Sequence, residues 1–255
     1  MPTLGFLAAD PGRACLLTDF DGTLAPIVAD PDAARPLVGA VEVLSHLARR
    51  LGTVAVVSGR PAGWLHALIG DTVTLSGLYG LELVRAGSDG VVEVSEDAER
   101  WRSVIDEVGK EAEGRAPEGV LVEHKGLALT LHVRRAIGEV PWVAGFCAEA
   151  AARTGLVVHA AKMSLELRPA VAADKGTVVL GLALGSTTVA YLGDDVGDLP
   201  AFAALDHLAT EGVETLKVAV GGPELDPMVS RSADVVVDGP EACLALLVDL
   251  HTTLG

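Results

Sequence analysis

The chain has 255 residues, with 19 Lys plus Arg against 35 Asp plus Glu and a net charge of −16 at pH 7. A balance of that sign repels nucleic acid and anionic membranes, so an anionic ligand must be held by local cations or a metal ion. Half of the residues are hydrophobic and aromatics are scarce, which predicts a core of Ala, Val and Leu at a length where one core begins to divide into two.

Cys15, Cys147 and Cys243 are far apart and odd in number, the pattern of buried free thiols in a reducing compartment. No basic, apolar leader precedes Asp10, so the expected location is cytoplasmic, with no membrane partner. The uncharged run from Gly176 to Gly193 is interrupted by Gly181, Gly185 and Ser186-Thr187-Thr188. It reads as a buried helix, a turn and a buried strand rather than a membrane span.

Leu16-Leu17-Thr18-Asp19-Phe20-Asp21-Gly22-Thr23-Leu24 comes first among the informative stretches. An apolar strand stops at two aspartates that share a side, and Gly22 permits a sharp turn and close approach of a ligand to the backbone. Two adjacent carboxylates repel unless a cation lies between them, and Mg2+ suits an all-oxygen site. An ordinary Asx-type turn is the plainer alternative for this string alone.

Pro26, Pro31 and Pro36 lead into a helix carrying Leu37, Val41, Leu44, Ala48 and Leu51 at helical spacing. Thr53 to Val57 is then a continuous apolar strand ending at Ser58-Gly59-Arg60-Pro61. A hydroxyl, a glycine and a helix start at a strand end place Ser58 and nearby N–H groups where phosphate binds, or where Ser58 simply caps the next helix. One loop, one helix and one strand separate Asp21 from Ser58, which makes a right-handed β-α-β unit with both strand ends on one sheet edge.

After a short strand at 72–76 comes Gly77-Leu78-Tyr79-Gly80-Leu81-Glu82, and the pattern changes. Residues 83–94 carry a hairpin signature. Two amphipathic helices, around Trp101–Ala112 and Val143–Ala151, alternate with strands at 120–125, 127–134, 156–160 and 162–168. The order β-β-α-β-β-α-β-β describes an open-faced sandwich. Its alternation puts Leu121, Glu123 and Lys125 on one side, Thr130, His132 and Arg134 on one side, and Lys162, Ser164, Glu166 and Arg168 on one side. Such a face is either a solvated surface with cross-strand ion pairs or a site for a hydroxyl-rich ligand.

From Pro169 the α/β pattern returns. Asp174-Lys175-Gly176 opens a helix, and a buried strand from Thr188 ends at Gly193-Asp194-Asp195-Val196-Gly197-Asp198. Three acids in five residues at a strand end require a cation among them. Strands at 217–220 and 233–237 and a helix at 241–251 close the chain.

These motifs resemble those of the haloacid dehalogenase superfamily of phosphotransferases, over roughly residues 14–82 and 169–255. The resemblance implies an α/β fold: a doubly wound, mostly parallel sheet (residues 1–82 and 169–255) with a smaller α/β open-faced sandwich cap at 83–168, inserted between the second and third motifs. It implies Asp19 as nucleophile, Asp21 as acid and base, and Ser58 and Lys175 as holders of phosphoryl oxygens. Mg2+ would be bound by Asp19, the Asp21 carbonyl and Asp194, with Asp195 and Asp198 orienting that shell. Only 36 residues separate Asp21 from Ser58, too few for a helical cap there, so the long insertion after Ser58 is the lid.

Within the superfamily the whole chain resembles the trehalose-6-phosphate phosphatase family, on Gly77-x-Tyr79-Gly80-x-Glu82, Glu123-His124-Lys125-Gly126, Leu131-His132-Val133-Arg134, Lys162-x-x-x-Glu166-x-Arg168-Pro169, Asp174-Lys175-Gly176 and the Gly193-Asp194-Asp195 loop. That implies substrate contacts from Gly22, Arg60, Tyr79, Glu123, Lys125, Arg134, Lys162 and Glu166. The partner would be a small-molecule sugar phosphate acted on by a monomer, through a phosphoaspartate. The family usually has His at Tyr79 and Thr-Asp-Glu at Gly197-Asp198-Leu199, which leaves a trehalose-like pseudo-disaccharide phosphate or another sugar phosphate open as substrate. A sugar-phosphate sensing domain without turnover is the alternative of a different class.

Overall fold

A computed structural model describes residues 3–28, 30–161, 163–222 and 225–255. The strands are β1 (Ala14–Thr18), β2 (Thr53–Val57), β3 (Thr74–Gly77), β4 (Glu82–Val84), β5 (Val92–Val94), β6 (Leu121–His124), β7 (Leu129–His132), β8 (Val157–Ala161), β9 (Ser164–Arg168), β10 (Thr188–Gly193), β11 (Glu214–Gly221) and β12 (Val235–Asp238). The helices are α1 (Ala40–Ala48), α2 (Ala62–Ile69), α3 (Glu96–Glu99), α4 (Arg102–Arg115), α5 (Val140–Thr154), α6 (Lys175–Leu182), α7 (Leu199–Thr210), α8 (Pro227–Ser232) and α9 (Gly239–Leu254). Contacts divide the chain into two compact units, Met1–Glu93 with Ala173–Gly255, and Val94–Ala172.

In the larger unit the sheet runs β12-β11-β10-β1-β2-β3-β4-β5. The pairings from β12 to β3 are parallel, while β3 and β4 are antiparallel. Parallel strands must be covered on both faces, which is why β1 and β10 are mostly apolar and fully buried, with Thr18, Thr188 and Tyr191 their only polar side chains. Successive residues of one strand serve opposite layers. Leu16, Val54 and Val56 pack with Leu44 and Leu47 of α1, Leu65 of α2 and Leu247 of α9. Leu17, Ala55, Val57 and Val189 pack with Val179 of α6 and Phe202 and Leu205 of α7.

The register decides where function can sit. Thr18 lies opposite Leu192 on β10 and opposite Val56 on β2, so the three strands end together. The strand order reverses between β1 and β10, the switch point at which open α/β sheets leave a crevice beyond their carboxyl ends.

Two details differ from the sequence expectations. Helix α1 begins only at Ala40, four residues beyond Pro36 near the expected start, because Gly39 before it has a left-handed φ of 88°. The hairpin expected in the insertion instead extends the large sheet. A tight turn at Leu78–Gly80 folds β4 back on β3, with Leu75 opposite Val84 and Gly77 opposite Glu82.

The smaller unit is an antiparallel sheet in the order β6-β7-β9-β8. Helices α4 and α5 cover one face, burying Ile105, Val108, Val143, Phe146 and Cys147 with Leu129, Leu131 and Leu167. Val122 and Leu165 pack at the edge of that cluster. The opposite face is polar. Among the described residues of the chain no helix is long and apolar enough to cross a membrane.

Leu65 is wholly buried between α2 and the sheet. Leu65→Ala is expected to lower stability by about 2–5 kcal/mol, the usual cost of a cavity that neighbours cannot close. Urea unfolding at constant m measures it, and a loss below about 1 kcal/mol would contradict the packing described.

Candidate active site

Beyond β1 the chain turns at once. The Phe20 carbonyl accepts from the N–H groups of Leu24 and Ala25 at 2.9 Å each, and the Gly22 N–H donates to the Ala25 carbonyl at 2.7 Å. Asp19 stays tied to the neighbouring strand through its N–H on the Leu192 carbonyl, 2.8 Å. Gly22 has φ +78°, and a Cβ there would lie 2.0 Å from Asp194 Oδ2. Glycine is therefore required twice, once for the turn and once for the approach of the β10 tip.

Lys175, at the start of α6, joins the two tips. Its Nζ stands 3.1 Å from Asp19 Oδ2 and 2.5 Å from Asp198 Oδ1, and the residue is 3% exposed. Asp198 is engaged through both oxygens: Oδ1 also accepts from the Tyr191 hydroxyl at 2.7 Å, and Oδ2 from the N–H groups of Asp194 and Asp195 at 2.9 and 3.1 Å. It is a brace that folds the β10 tip around itself. The Asp195 side chain accepts from the Gly197 N–H at 2.8 Å and begins the turn into α7.

Burial pushes the Asp19 carboxyl well above its ordinary range, with Lys175 pulling the other way and Asp198 and Asp194 adding to the rise. Burial, then Asp198 and Asp195, lifts Asp194 from the ordinary 3.8 to about 8. Burial alone would push Lys175 down, yet Asp19 and Asp198 outweigh it and hold the ammonium well above the usual lysine range. One lysine thus faces more acid than it can neutralise.

A divalent cation fits this surplus. Asp19, Asp194 and Asp198 each offer an oxygen within 4.8 Å of the others, a grouping able to hold a metal ion. Asp194 Oδ1 is buried with no hydrogen-bond partner, and buried carboxylate oxygens are otherwise paired. The set is all-oxygen, the chemistry that hard cations select.

The loop after β2 is fixed by its own backbone. Ser58 is 1% exposed; its N–H donates to the Ser76 carbonyl at 2.9 Å and its Oγ accepts from the Arg60 N–H at 3.2 Å. The hydroxyl does not cap α2. The Ala62 N–H at that helix start donates instead to Glu82 Oε2 at 2.8 Å, so a protein carboxylate takes a place expected for phosphate. Tyr79 has a left-handed φ of 59° and ψ of 29°, and its N–H donates to the Ser58 carbonyl at 3.0 Å. Its ring lies over Gly59, where a Cβ would come within 2.6 Å of Tyr79 Cζ. Arg60 reaches Asp21 across the loop, with Nε 2.7 Å from Oδ2 and Nη2 2.8 Å from Oδ1.

In the smaller unit the register sets Glu123, Thr130, Glu166 and His159 in one row across all four strands. Lys125 Nζ lies 3.1 Å from Glu166 and 3.6 Å from Glu123. Thr130 donates to Glu166 at 2.9 Å, His132 Nε2 meets Glu123 Oε2 at 2.7 Å, and Arg168 pairs with Glu166. Burial would raise Glu166, but Lys125 and Arg168 outweigh it and lower its pKa. Arg134 is exposed beyond the end of β7, and Lys162 lies outside the described residues.

Sequence reasoning gathered Asp19, Asp21, Ser58, Lys175, Asp194, Asp195 and Asp198 at one sheet edge. It did not assign Tyr191, Glu82, Thr130, His132 or Arg168. Strand alternation had placed Thr130, His132 and Arg168 on polar faces. Tyr191, the one phenol in a buried and mostly apolar strand, was the available signal for the Asp198 brace.

A parallel sheet with acids at a switch point is the architecture of the haloacid dehalogenase-like hydrolases. One such hydrolase from Bacteroides thetaiotaomicron superposes with a TM-score of 0.63 over 93% of this chain and 99% of its own, at 15% identity. The trehalose-phosphatase model matches residues 17–230, and the chain belongs to that family. The C-terminal domain of trehalose-6-phosphate phosphatase from C. albicans matches with a TM-score of 0.77 at 26% identity, covering 98% of this chain and 96% of that one. A trehalose-phosphate phosphatase of Mycobacterium avium (strain 104) is 36% identical over 213 residues, 78% of this chain and 53% of the relative. One of Mycobacterium bovis (strain BCG / Pasteur 1173P2) is 34% identical over 254 residues, 95% of this chain and 58% of the relative. The chain thus spans about half the length of the curated relatives it matches.

The electrostatics give a signed expectation. With Asp194 raised to about 8 and Asp19 also raised, the metal-free folded state binds more protons than the unfolded one between about pH 4 and 8. Stability then falls as pH rises through that window. The thermal midpoint without metal should decline from pH 5 to 8, and Mg2+ should remove the decline. A flat metal-free profile would contradict the charge surplus.

Proposed function

We propose that the chain is a Mg2+-dependent phosphomonoesterase that hydrolyses trehalose 6-phosphate to trehalose and phosphate. The observation that carries this reading is the meeting of the β1 and β10 tips around Lys175, which gathers Asp19, Asp194 and Asp198 within reach of one ion. Family membership and the names of the relatives support the substrate.

Asp19 is the nucleophile. Its carboxylate oxygen bonds to phosphorus as the bond from phosphorus to the sugar oxygen breaks, which splits one slow displacement into two. Asp21 protonates the leaving sugar oxygen, then takes a proton from the water that releases phosphate from Asp19. Lys175 and Ser58 hold phosphoryl oxygens. Asp19, Asp194 and the Asp21 carbonyl would hold Mg2+, with Asp195 and Asp198 orienting them, and the ion would supply positive charge to the transferring group. Asp198 keeps Lys175 charged and aimed at Asp19, so the cation costs no reorganisation when the reaction begins.

The inserted unit serves as the lid and sugar-recognition element. Glu123, Lys125 and Glu166 give interleaved acceptors and donors of the kind sugar hydroxyls need, and Arg134 and Lys162 belong to the same reading. Tyr79, Gly197 and Leu199 depart from the family pattern and leave open a second reading in which the sugar is a trehalose-like pseudo-disaccharide.

Asp19→Asn should cut phosphate release from trehalose 6-phosphate by roughly a thousandfold or more while the fold persists, the scale of losing a nucleophile. Residual turnover above about a tenth would remove Asp19 from that role. Glu123→Ala should raise KM for the sugar phosphate about tenfold more than for p-nitrophenyl phosphate; equal losses on both would argue against a sugar-contacting sheet. A panel of trehalose, glucose, sucrose and pseudo-disaccharide phosphates assigns the substrate, and no release from any of them would point to a sensing domain.

A further inference from the structure

Asp21 is claimed by a group that the resemblance had placed on the substrate. Arg60 Nε and Nη2 donate to its two carboxylate oxygens at 2.7 and 2.8 Å, the two-pronged geometry in which a guanidinium fixes both position and plane. Arg60 is fixed in turn. Its Cζ lies 4.6 Å from the centroid of the Trp64 ring. Trp64 stands edge-on to Phe20, with centroids 5.5 Å apart at 90°, and Phe20 is the fully buried residue between the two aspartates. At the backbone, the Arg60 N–H donates to Ser58 Oγ at 3.2 Å and its carbonyl accepts from the Leu78 N–H at 3.0 Å.

The circuit Asp21, Arg60, Trp64, Phe20 therefore closes on the strand end from which Asp21 projects. The guanidinium side chain is only 12% exposed, against 36% for Asp21. Turning the fork toward a phosphate would strip both carboxylate oxygens of their donors and unstack the cation from Trp64.

We propose that Arg60 is a positioning residue that acts through Asp21 and not a phosphate ligand. The inference rests on the reading of Asp21 as the proton carrier. In the first displacement the Asp19 oxygen bonds to phosphorus, the bond to the sugar oxygen breaks, and the proton on Asp21 moves to that oxygen. Asp21 is left as a carboxylate, the form the fork holds. In the second displacement water attacks phosphorus, the bond to Asp19 breaks, and the water proton returns to Asp21. Arg60 keeps the carboxylate plane constant through both halves, with its oxygens aimed at the leaving group.

Leaving groups separate the two roles. A sugar alkoxide needs a proton in order to depart and p-nitrophenolate does not, so in kcat/KM, which ends at departure of the alcohol and excludes the second displacement that both esters share, the loss of a proton carrier falls on the sugar ester, whereas the loss of a phosphate ligand falls on both esters. The experiment compares wild type, Asp21→Asn, Arg60→Met, Arg60→Lys and the Asp21→Asn/Arg60→Met double variant on trehalose 6-phosphate and p-nitrophenyl phosphate. A parallel calorimetric titration uses inorganic phosphate with Mg2+. Arg60→Met is expected to show the same skew between substrates as Asp21→Asn, to add less than threefold to it in the double variant, and to change phosphate affinity less than threefold. Arg60→Lys, which keeps the charge without the fork, should fall between wild type and Arg60→Met. It also provides a folded comparison if the methionine variant does not fold.

Equal losses on both substrates, multiplied losses in the double variant, or phosphate binding weakened tenfold or more would each overturn the proposal. A wild type that hydrolyses neither ester would instead overturn the reading of the chain as a phosphatase. The phosphate titration would still decide whether Arg60 grips the anion.

Discussion

A buried lysine ammonium between two carboxylates is the contact on which this molecule depends. Lys175 reaches Asp19 at one strand tip and Asp198 at another, and it adds a charged tie to the backbone hydrogen bond from Asp19 to Leu192. Burying charge is costly unless partners are close and fully engaged. Asp198 meets that condition with four donors, two of them backbone N–H groups from the residues it must hold in place. Asp19 does not, and its surplus of negative charge is what the proposed reading assigns to a cation and to electrophilic phosphorus.

The sheet makes this contact possible. Parallel strands in register end together, so residues more than 170 positions apart, such as Asp19 and Asp194, become neighbours without any local sequence relation. The glycine at position 22 then sets the distance, because any side chain there would occupy the place of the Asp194 carboxylate. The smaller unit meets a similar demand by antiparallel alternation. One face of its sheet packs against helices and the other carries Glu123, Lys125, Thr130, His132 and Glu166 in mutual contact.

The acidic edge of the sheet was legible in the sequence because its signals are local and repeated: apolar runs that stop at acids, a hydroxyl before glycine, a lysine at a helix start. Strand alternation exposed the polar face of the insertion for the same reason. What stayed hidden depends on three-dimensional choices between equivalent partners. A hairpin signature at 83–94 does not say which sheet it joins, and pairing of Leu75 with Val84 decides that in favour of the large one. A helix start offers its N–H groups to any acceptor, and Glu82 takes the Ala62 N–H from twenty residues away. Tyr79 accepts a left-handed backbone that nothing in its neighbours' identities announces beyond Gly77 and Gly80, which bracket Leu78 and Tyr79.

In the proposed reaction the Asp19 carboxylate, just beyond β1, takes up phosphorus in a first displacement before water completes a second. The stereochemical course at phosphorus measures that most directly, using trehalose 6-phosphate made chiral with oxygen isotopes. Two successive in-line displacements predict net retention of configuration. Net inversion would mean a single attack by water, and the role given to Asp19 would be wrong.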